Sequence, residues 1–262
     1  MTESRGRGAA LVTGGTSGIG LAVVETLAES GLATYFCARD AAQVATVTDK
    51  LRGRGLKVDG VVADVRSADD ITCLVASAVD RFGPVSVLVN NAGRSGGGVT
   101  ADLDDALWDD VLATNLTATF RVTREVLRAG GIRENGWGRI INIASTAGKQ
   151  GVALAAPYTA AKHGVVGFTK ALGFELAGSG ITVNAVCPGY VETPMAVRVR
   201  QGYAAHWDTT EQAVLERFQA KIPLGRYSTP EEVAGLVGYL VTDSAASMTA
   251  QAVNVCGGLG NY

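Results

Sequence analysis

This chain of 262 residues is poor in the features that metal centres, crosslinked scaffolds and membrane spans require. It has only two histidines, His163 and His206, which argues against a histidine-based metal centre. The four cysteines, Cys37, Cys73, Cys187 and Cys256, show no CxxC spacing, and three fall in or beside apolar runs that read as strands. Such a pattern describes buried free thiols in a reducing compartment rather than a disulfide framework. No apolar run is long enough for a membrane span, and the opening MTESRGRGAALVTG holds no signal-peptide core. A formal net charge of −2 gives nucleic acid or an anionic membrane nothing to hold as a main partner. The chain also lacks internal repeats, low-complexity tracts and Pro- or Ser-rich linkers. A soluble, cytoplasmic, single-domain protein is the expectation.

What is present is an alternation. The runs AALVT, ATYFCA, KVDGVVA, SVLVN, RIINIA, ITVNAV and QAVNV read as strands, with helical windows between most of them. A composition of 47% apolar and 18% charged residues supplies the core. The predicted fold is α/β: a single Rossmann-type, doubly wound parallel sheet of about seven strands with helices on both faces, spanning residues 1–262. Two segments interrupt the rhythm at the carboxyl ends of strands, where open parallel sheets bind ligands. One is the glycine-rich stretch 94–103, and the other is 188–210, read as a loop before a helix that begins near Glu211. The region around 188–222 is thus expected to cover a substrate.

LVTGGTSGIG sets Gly14, Gly18 and Gly20 between a strand and a helix. Glycines there let the backbone approach a pyrophosphate, and the helix N-terminus offers N–H donors and positive dipole. The spacing is GxxxGxG rather than GxGxxG, and a glycine turn alone can be just a tight connection; the clear strand before it and helix after it favour the nucleotide reading. Thr13, Gly14, Thr16, Ser17, Gly18, Ile19 and Gly20 form the candidate cradle. An acid at the tip of the second strand would hold the ribose hydroxyls of NAD, whereas an arginine suits the extra phosphate of NADP. Arg39 stands there, with Ala38 in the acid's place and Asp40 starting the next helix, so NADPH is the expected cofactor. Asp64 and Val65, after the third strand, suit the adenine edge. Asn91, Ala92 and Gly93 of NNAG, after the fourth, are placed against adenine and ribose.

In YTAAK, Tyr158 and Lys162 are i and i+4, so a helix puts them on one face about 5–6 Å apart at Cβ. A free phenol, with a pKa of about 10, is too weak an acid for work near neutral pH, and a neighbouring ammonium favours its ionised form. Taken together, TGGTSGIG, NNAG, Asn115 in ATNLT, Ser145 in NIASTAG, YTAAK and CPGYVETP resemble the classical short-chain dehydrogenases/reductases over nearly the whole chain. The resemblance implies that Tyr158 is the general acid and that Ser145 hydrogen-bonds the carbonyl oxygen. It implies further that Lys162 lowers the tyrosine pKa and holds the nicotinamide ribose, while Asn115 supports a water relay. Pro188, Gly189, Val191 and Thr193 would then lie along the nicotinamide, with Thr193 on its carboxamide. The helix from Pro157 to Ala177 is apolar nearly all round, which together with the resemblance predicts a homo-oligomer, a tetramer in many members.

A narrower resemblance runs through NNAGRSGGG, ASTAGKQGV, KHGVVGFTKALG, AVCPGYVETPMA and NVCGGLGNY, which look like ketoreductases of bacterial type II (aromatic) polyketide synthases. Such enzymes reduce one carbonyl, usually the ninth-carbon ketone, of a poly-β-ketone on an acyl carrier protein. A reductase of simple 3-ketoacyl chains in fatty-acid synthesis or a general carbonyl reductase is the nearest alternative, and an NADPH sensor without turnover is a third. The implied substrate set is Ser95, Gly96, Gly97, Thr146, Gln150, Val152, Tyr190, Tyr203 and Trp207, although the aromatics could equally anchor their loop to the body. Arg66, Arg94, Arg198 and Arg200 are candidates for docking an acidic carrier. Two positions depart from the usual pattern. Ser95 stands where proline is common, which suggests a freer loop, and Cys256 where the wider family often has aspartate.

Overall fold

The computed structural model describes residues 8–260 and 262. Residues 1–7, on which part of the expectation of no signal peptide rests, and Asn261 of the C-terminal motif lie outside the described residues. In chain order the elements are β1 (Ala9–Thr13), α1 (Gly18–Glu29), β2 (Thr34–Ala38), α2 (Ala41–Gly53), β3 (Val58–Val62), α3 (Ala68–Phe82), β4 (Val85–Asn90) and α4 (Asp105–Leu112). There follow α5 (Ala118–Ala129), β5 (Gly138–Ile143), α6 (Ala156–Leu176), β6 (Ile181–Pro188), α7 (Pro194–His206), α8 (Glu211–Gln219), α9 (Pro230–Leu240) and β7 (Ala252–Val255).

The strands form one seven-stranded sheet in the order β3-β2-β1-β4-β5-β6-β7, parallel at every pairing. Successive side chains on a strand point to opposite faces, so each strand feeds two cores. On β1, Ala10 and Val12 join α1, α2 and α9 on one face, while Leu11 joins α3 and α5 on the other. The order reverses between β1 and β4, and chain connections leave the sheet in opposite directions there. That crevice, at the carboxyl ends of the strands, is where a doubly wound fold takes its ligand.

Local chemistry sets the helix boundaries. Asp40, Ser67, Asp104, Thr193, Thr210 and Thr229 each cap a helix by accepting a backbone N–H two or three residues on. Segment 188–210 is not a loop throughout, as the sequence reading had it: 194–206 is helical. Thr193 accepts from the Ala196 N–H and Pro194 occupies the first turn, a start signal that outweighs the weak amphipathic pattern of the residues after it.

The Phe36 ring, fully buried on β2, lies between two backbones. A Cβ on Gly15 would come within 2.9 Å of it, and a Cβ on Gly60 of β3 within 2.7 Å. The glycine turn after β1 therefore rests on a ring that cannot retreat. Gly60→Ala should destabilise the fold by about 1–3 kcal/mol through overpacking, read as a lower urea midpoint with an unchanged m-value.

Candidate active site

The turn from β1 to α1 is drawn tightly onto the end of β4. Gly14 and Gly18 have φ of 68° and 52°, conformations that suit glycine. A Cβ on Gly20 would collide with the Gly14 carbonyl oxygen and with the Asn91 amide. Asn91 ties the turn down, its Nδ2 donating to the carbonyls of Thr13 (2.9 Å) and Gly14 (3.0 Å). The Thr13 hydroxyl in turn accepts from the N–H groups of Asn91 and Ala92, both at 3.0 Å. Thr193 closes from above, its Cγ2 lying 3.1 Å from where a Gly18 Cβ would be.

These residues fit a dinucleotide. Unlike the six capped helices, α1 starts at Ser17 with no side-chain cap and no acid in its first turn, leaving its N–H donors for an anion. Arg39, exposed at the end of β2, forms no ion pair among the described residues. Asp64 is less free than the sequence suggested. Its carboxylate takes Arg66 Nη2 at 2.6 Å and Nε at 3.0 Å, and that hydrogen bonding holds it below the usual aspartate range. Val65 is buried in the core.

Ser145 follows β5 and turns the chain into a short helical turn, its Oγ accepting from the Ala147 N–H at 3.0 Å. Tyr158, in the first turns of α6, lies beside the Ser145 side chain, which acts to lower the phenol's pKa. One helical turn later, buried Lys162 donates from Nζ to the Ile143 carbonyl at 2.7 Å, with Nζ 5.6 Å from the centre of the Tyr158 ring. Burial pulls the Lys162 ammonium down to about 8, and burial raises the Tyr158 phenol against the opposing pull of the Ser145 side chain. In the protein alone the phenol thus moves opposite to the expected lowering, because desolvation is the largest effect on it.

Asn115 is buried in a π-helical turn, Ala113–Thr117, that joins α4 to α5. Turns of this kind recur at functional sites because they release backbone groups from the helical ladder. The Asn115 side chain clamps the strand-end loop: Nδ2 donates to the Arg94 carbonyl (3.0 Å) and Oδ1 accepts the Arg94 N–H (3.2 Å). A Cβ on Gly93 would meet Asn115 Oδ1 at 2.8 Å.

Of the substrate candidates, Ser95, Gly96 and Gly97 lie in a loop packed on Val111 and Leu154, and Gln150 donates its N–H to the Thr146 carbonyl at 3.1 Å. The aromatics mostly anchor. Tyr190 stacks on Phe218 (4.7 Å) and Tyr227 (5.2 Å), and Tyr203 and Trp207 pack edge-on against Phe218. Tyr203 still reaches across, its hydroxyl donating to the Ala153 carbonyl at 2.7 Å. Arg200 cannot serve as a docking arginine: it is buried, donating to Glu192 at 2.9 Å through both terminal nitrogens and to Glu211 at 3.0 Å through Nε. Arg198 is exposed, whereas Arg66 and Arg94 share Asp110. Sequence reasoning missed Gly15 beneath the turn and Leu154, a non-glycine residue with φ of 60° whose carbonyl accepts the Gly98 N–H at 2.9 Å. The stretch GGTSG offered a signal for the first; nothing in the sequence marked the second.

The short chain dehydrogenase family profile matches residues 8–204, and the chain belongs to that family. The arrangement defines an oxidoreductase of the kind that exchanges hydride with a nicotinamide cofactor. Among its relatives, a protein of Streptomyces virginiae named for ketoacyl reductase in a monensin polyketide synthase is 67% identical over all of both chains. A granaticin polyketide synthase protein of Streptomyces violaceoruber, also named for ketoacyl reductase, is 60% identical over 97% of this chain and 93% of that one. A crystal structure of a single-residue variant of actinorhodin polyketide ketoreductase with NADPH superposes with a TM-score of 0.95, at 59% identity over 97% of this chain and 98% of that one.

Arg200 is the pin that joins α7, α8 and the Glu192 segment. Because its two glutamate partners are partly exposed, Arg200→Met should cost about 1–3 kcal/mol of stability. Proteolysis of the native protein should then cut first within 190–222, where the wild type resists.

Proposed function

We propose that this protein is an NADPH-dependent ketoreductase that reduces one carbonyl, the ninth-carbon ketone, of an aromatic polyketide intermediate held on an acyl carrier protein. Tyr158 beside the Ser145 side chain, with buried Lys162 one helical turn on, at the carboxyl edge of the sheet next to a turn that fits a dinucleotide, carries the reading. Full-length likeness to ketoacyl reductases of polyketide synthases supports the substrate class.

Bound NADPH supplies the hydride. Tyr158 gives its phenolic proton to the carbonyl oxygen, and the Ser145 hydroxyl donates a hydrogen bond to the same oxygen as charge develops there. Burial keeps the phenol protonated, which suits an acid acting in the reductive direction. Lys162 holds the ribose and favours the phenolate once the proton has left. Asn115, fixed at the π turn, supports the relay that returns a proton through Lys162. Ser95, Gly96, Gly97, Thr146, Gln150, Val152 and the outer edges of Tyr190, Tyr203 and Trp207 surround the substrate. Residues 188–222 cover it within a single NADP-binding domain.

Arg66 and Arg94 frame the entrance and, with Arg198, meet the carrier's acidic surface. The whole is a homotetramer. On α6, Phe174 is 78% exposed, while on α5 Phe120 is 43% exposed and packs edge-on against Phe168 of α6. Such an apolar face suits a second copy of the chain.

Turnover of a bicyclic ketone such as decalone with NADPH should exceed that of a linear acetoacetyl thioester; the reverse preference moves the protein to fatty-acid chemistry. Tyr158→Phe should lower kcat by about 10²–10⁴-fold. Arg39→Ala should raise KM for NADPH about tenfold or more while leaving NADH little changed, as expected for a lost charged hydrogen bond to phosphate.

The pH profile follows from the lysine. Below its pKa of about 8 the Lys162 ammonium is present, and above it the charge is lost. Because kcat/KM reports groups of the free enzyme, kcat/KM for NADPH should be flat toward neutrality and fall above about pH 8.

A further inference from the structure

Lys149 is not part of the chemistry described above, yet it sits four residues beyond Ser145 and its ammonium is fully engaged. Nζ donates to the Ala252 carbonyl (3.0 Å), to Asn254 Oδ1 (3.0 Å) and to the Tyr262 main-chain oxygen (2.9 Å), and lies 5.2 Å from the centre of the Tyr262 ring. Asn254 completes a circuit by donating from Nδ2 to the Gly260 carbonyl at 3.1 Å. The Tyr262 hydroxyl then returns to the serine loop, donating to the Thr146 carbonyl at 3.4 Å. The same C-terminal segment touches the other side of the site. Gly189 donates its N–H to the Val255 carbonyl at 3.0 Å, and a Cβ on Gly189 would meet the Cys256 Cβ at 2.9 Å.

We infer that Lys149 is a positioning residue: by locking residues 252–260 and Tyr262 onto the turn 145–149, it sets where the Ser145 hydroxyl points. The turn that carries Ser145 is a single three-residue helical turn, Thr146–Gly148, whose inner side is buried against α6: a Cβ on Gly148 would meet the Lys162 carbonyl oxygen at 2.6 Å. Its outer side is held by the C-terminal segment, and the turn has to keep a hydroxyl within tenths of an ångström of a developing oxyanion. A lysine with three acceptors from one segment, answered by a tyrosine hydroxyl from the same segment, is a two-point brace. Loss of either point should free the turn without removing any group that meets substrate. The role of Ser145 toward a carbonyl oxygen is taken from the function proposed above; the brace itself is not.

The test uses the full chain and has two readouts. Lys149→Met and Tyr262→Phe should each lower kcat for ketone reduction by about tenfold with KM for NADPH little changed, the smaller relative of the loss that follows deletion of an oxyanion donor. Lys149→Arg should recover part of the rate. In a Ser145→Ala background, Lys149→Met should cost nothing further, because the group it positions is gone. An equal loss in both backgrounds overturns the inference. The second readout needs no turnover: amide hydrogen exchange at Ala147, whose N–H donates to Ser145 Oγ, should quicken in Lys149→Met while β4 and β5 keep their protection. Unchanged exchange at Ala147 overturns the brace. Quickened exchange in a protein that reduces no ketone leaves the brace standing and overturns the proposed function instead.

Discussion

A buried ammonium has to be answered, and in this chain the answer organises the site. Lys162 sits almost without exposure on α6 and donates to the Ile143 carbonyl at the last residue of β5. That carbonyl is where it is because β5 is paired to β6 in parallel register, Ile143 opposite Val186, with the next N–H, of Ala144, donating to the Val186 carbonyl. The sheet's edge therefore supplies an acceptor that a loop could not hold still. Desolvation brings the amine to about 8, so modest changes in local charge decide its state. Tyr158, held one turn earlier on the same helix, shares that environment and is pushed the other way.

The same helix is registered against the sheet by an internal polar seam. Asn90 of β4 donates to Thr123 of α5 (2.9 Å) and to Asn142 of β5 (2.8 Å), and Asn142 donates to Thr169 of α6 (2.9 Å). All four residues are buried. Apolar packing alone would tolerate sliding of α6 along the sheet, whereas a buried amide loses its partner when the register slips. Thr169 lies two turns beyond Lys162 on α6, so the seam fixes the height of the lysine. Lys162 in turn fixes the height of the tyrosine.

The sheet and the juxtaposition of Tyr158 with Lys162 were legible because they follow from period and spacing. Seven apolar runs separated by helical windows leave few topologies, and i, i+4 spacing puts Tyr158 over Lys162 whatever the surroundings. What stayed hidden depends on how the chain turns back on itself. Arg200 looks like any surface arginine until α7 sets it against Glu192, eight residues earlier, and the corner into α8 brings Glu211, eleven residues later. The helix 194–206 lacks a strong apolar stripe, and its evidence lay in two residues, Thr193 and Pro194. In the protein alone the tyrosine's shift is upward for a related reason: sequence shows the neighbouring lysine but not the depth of burial, and burial is the largest effect on the phenol.

The loop after β4 illustrates how packing can replace a local constraint. Ser95 in place of proline leaves φ free at that position, and from sequence alone the loop should be looser. Its surroundings leave little freedom to use. A side chain on Gly96 would collide with Val111, and one on Gly97 with the Leu154 carbonyl. Arg94 Nε donates to the Ser95 carbonyl at 3.1 Å, while Asn115 grips the Arg94 backbone from both sides. Leu154, held at φ of 60°, presents the carbonyl that takes the Gly98 N–H. A bulky residue keeps such a conformation only where its neighbours impose it. The constraint on this wall of the cleft thus moves from one ring at position 95 to contacts spread over α4, the π turn and the approach to α6. A substrate would meet a wall set by the glycines' lack of side chains rather than by a rigid proline.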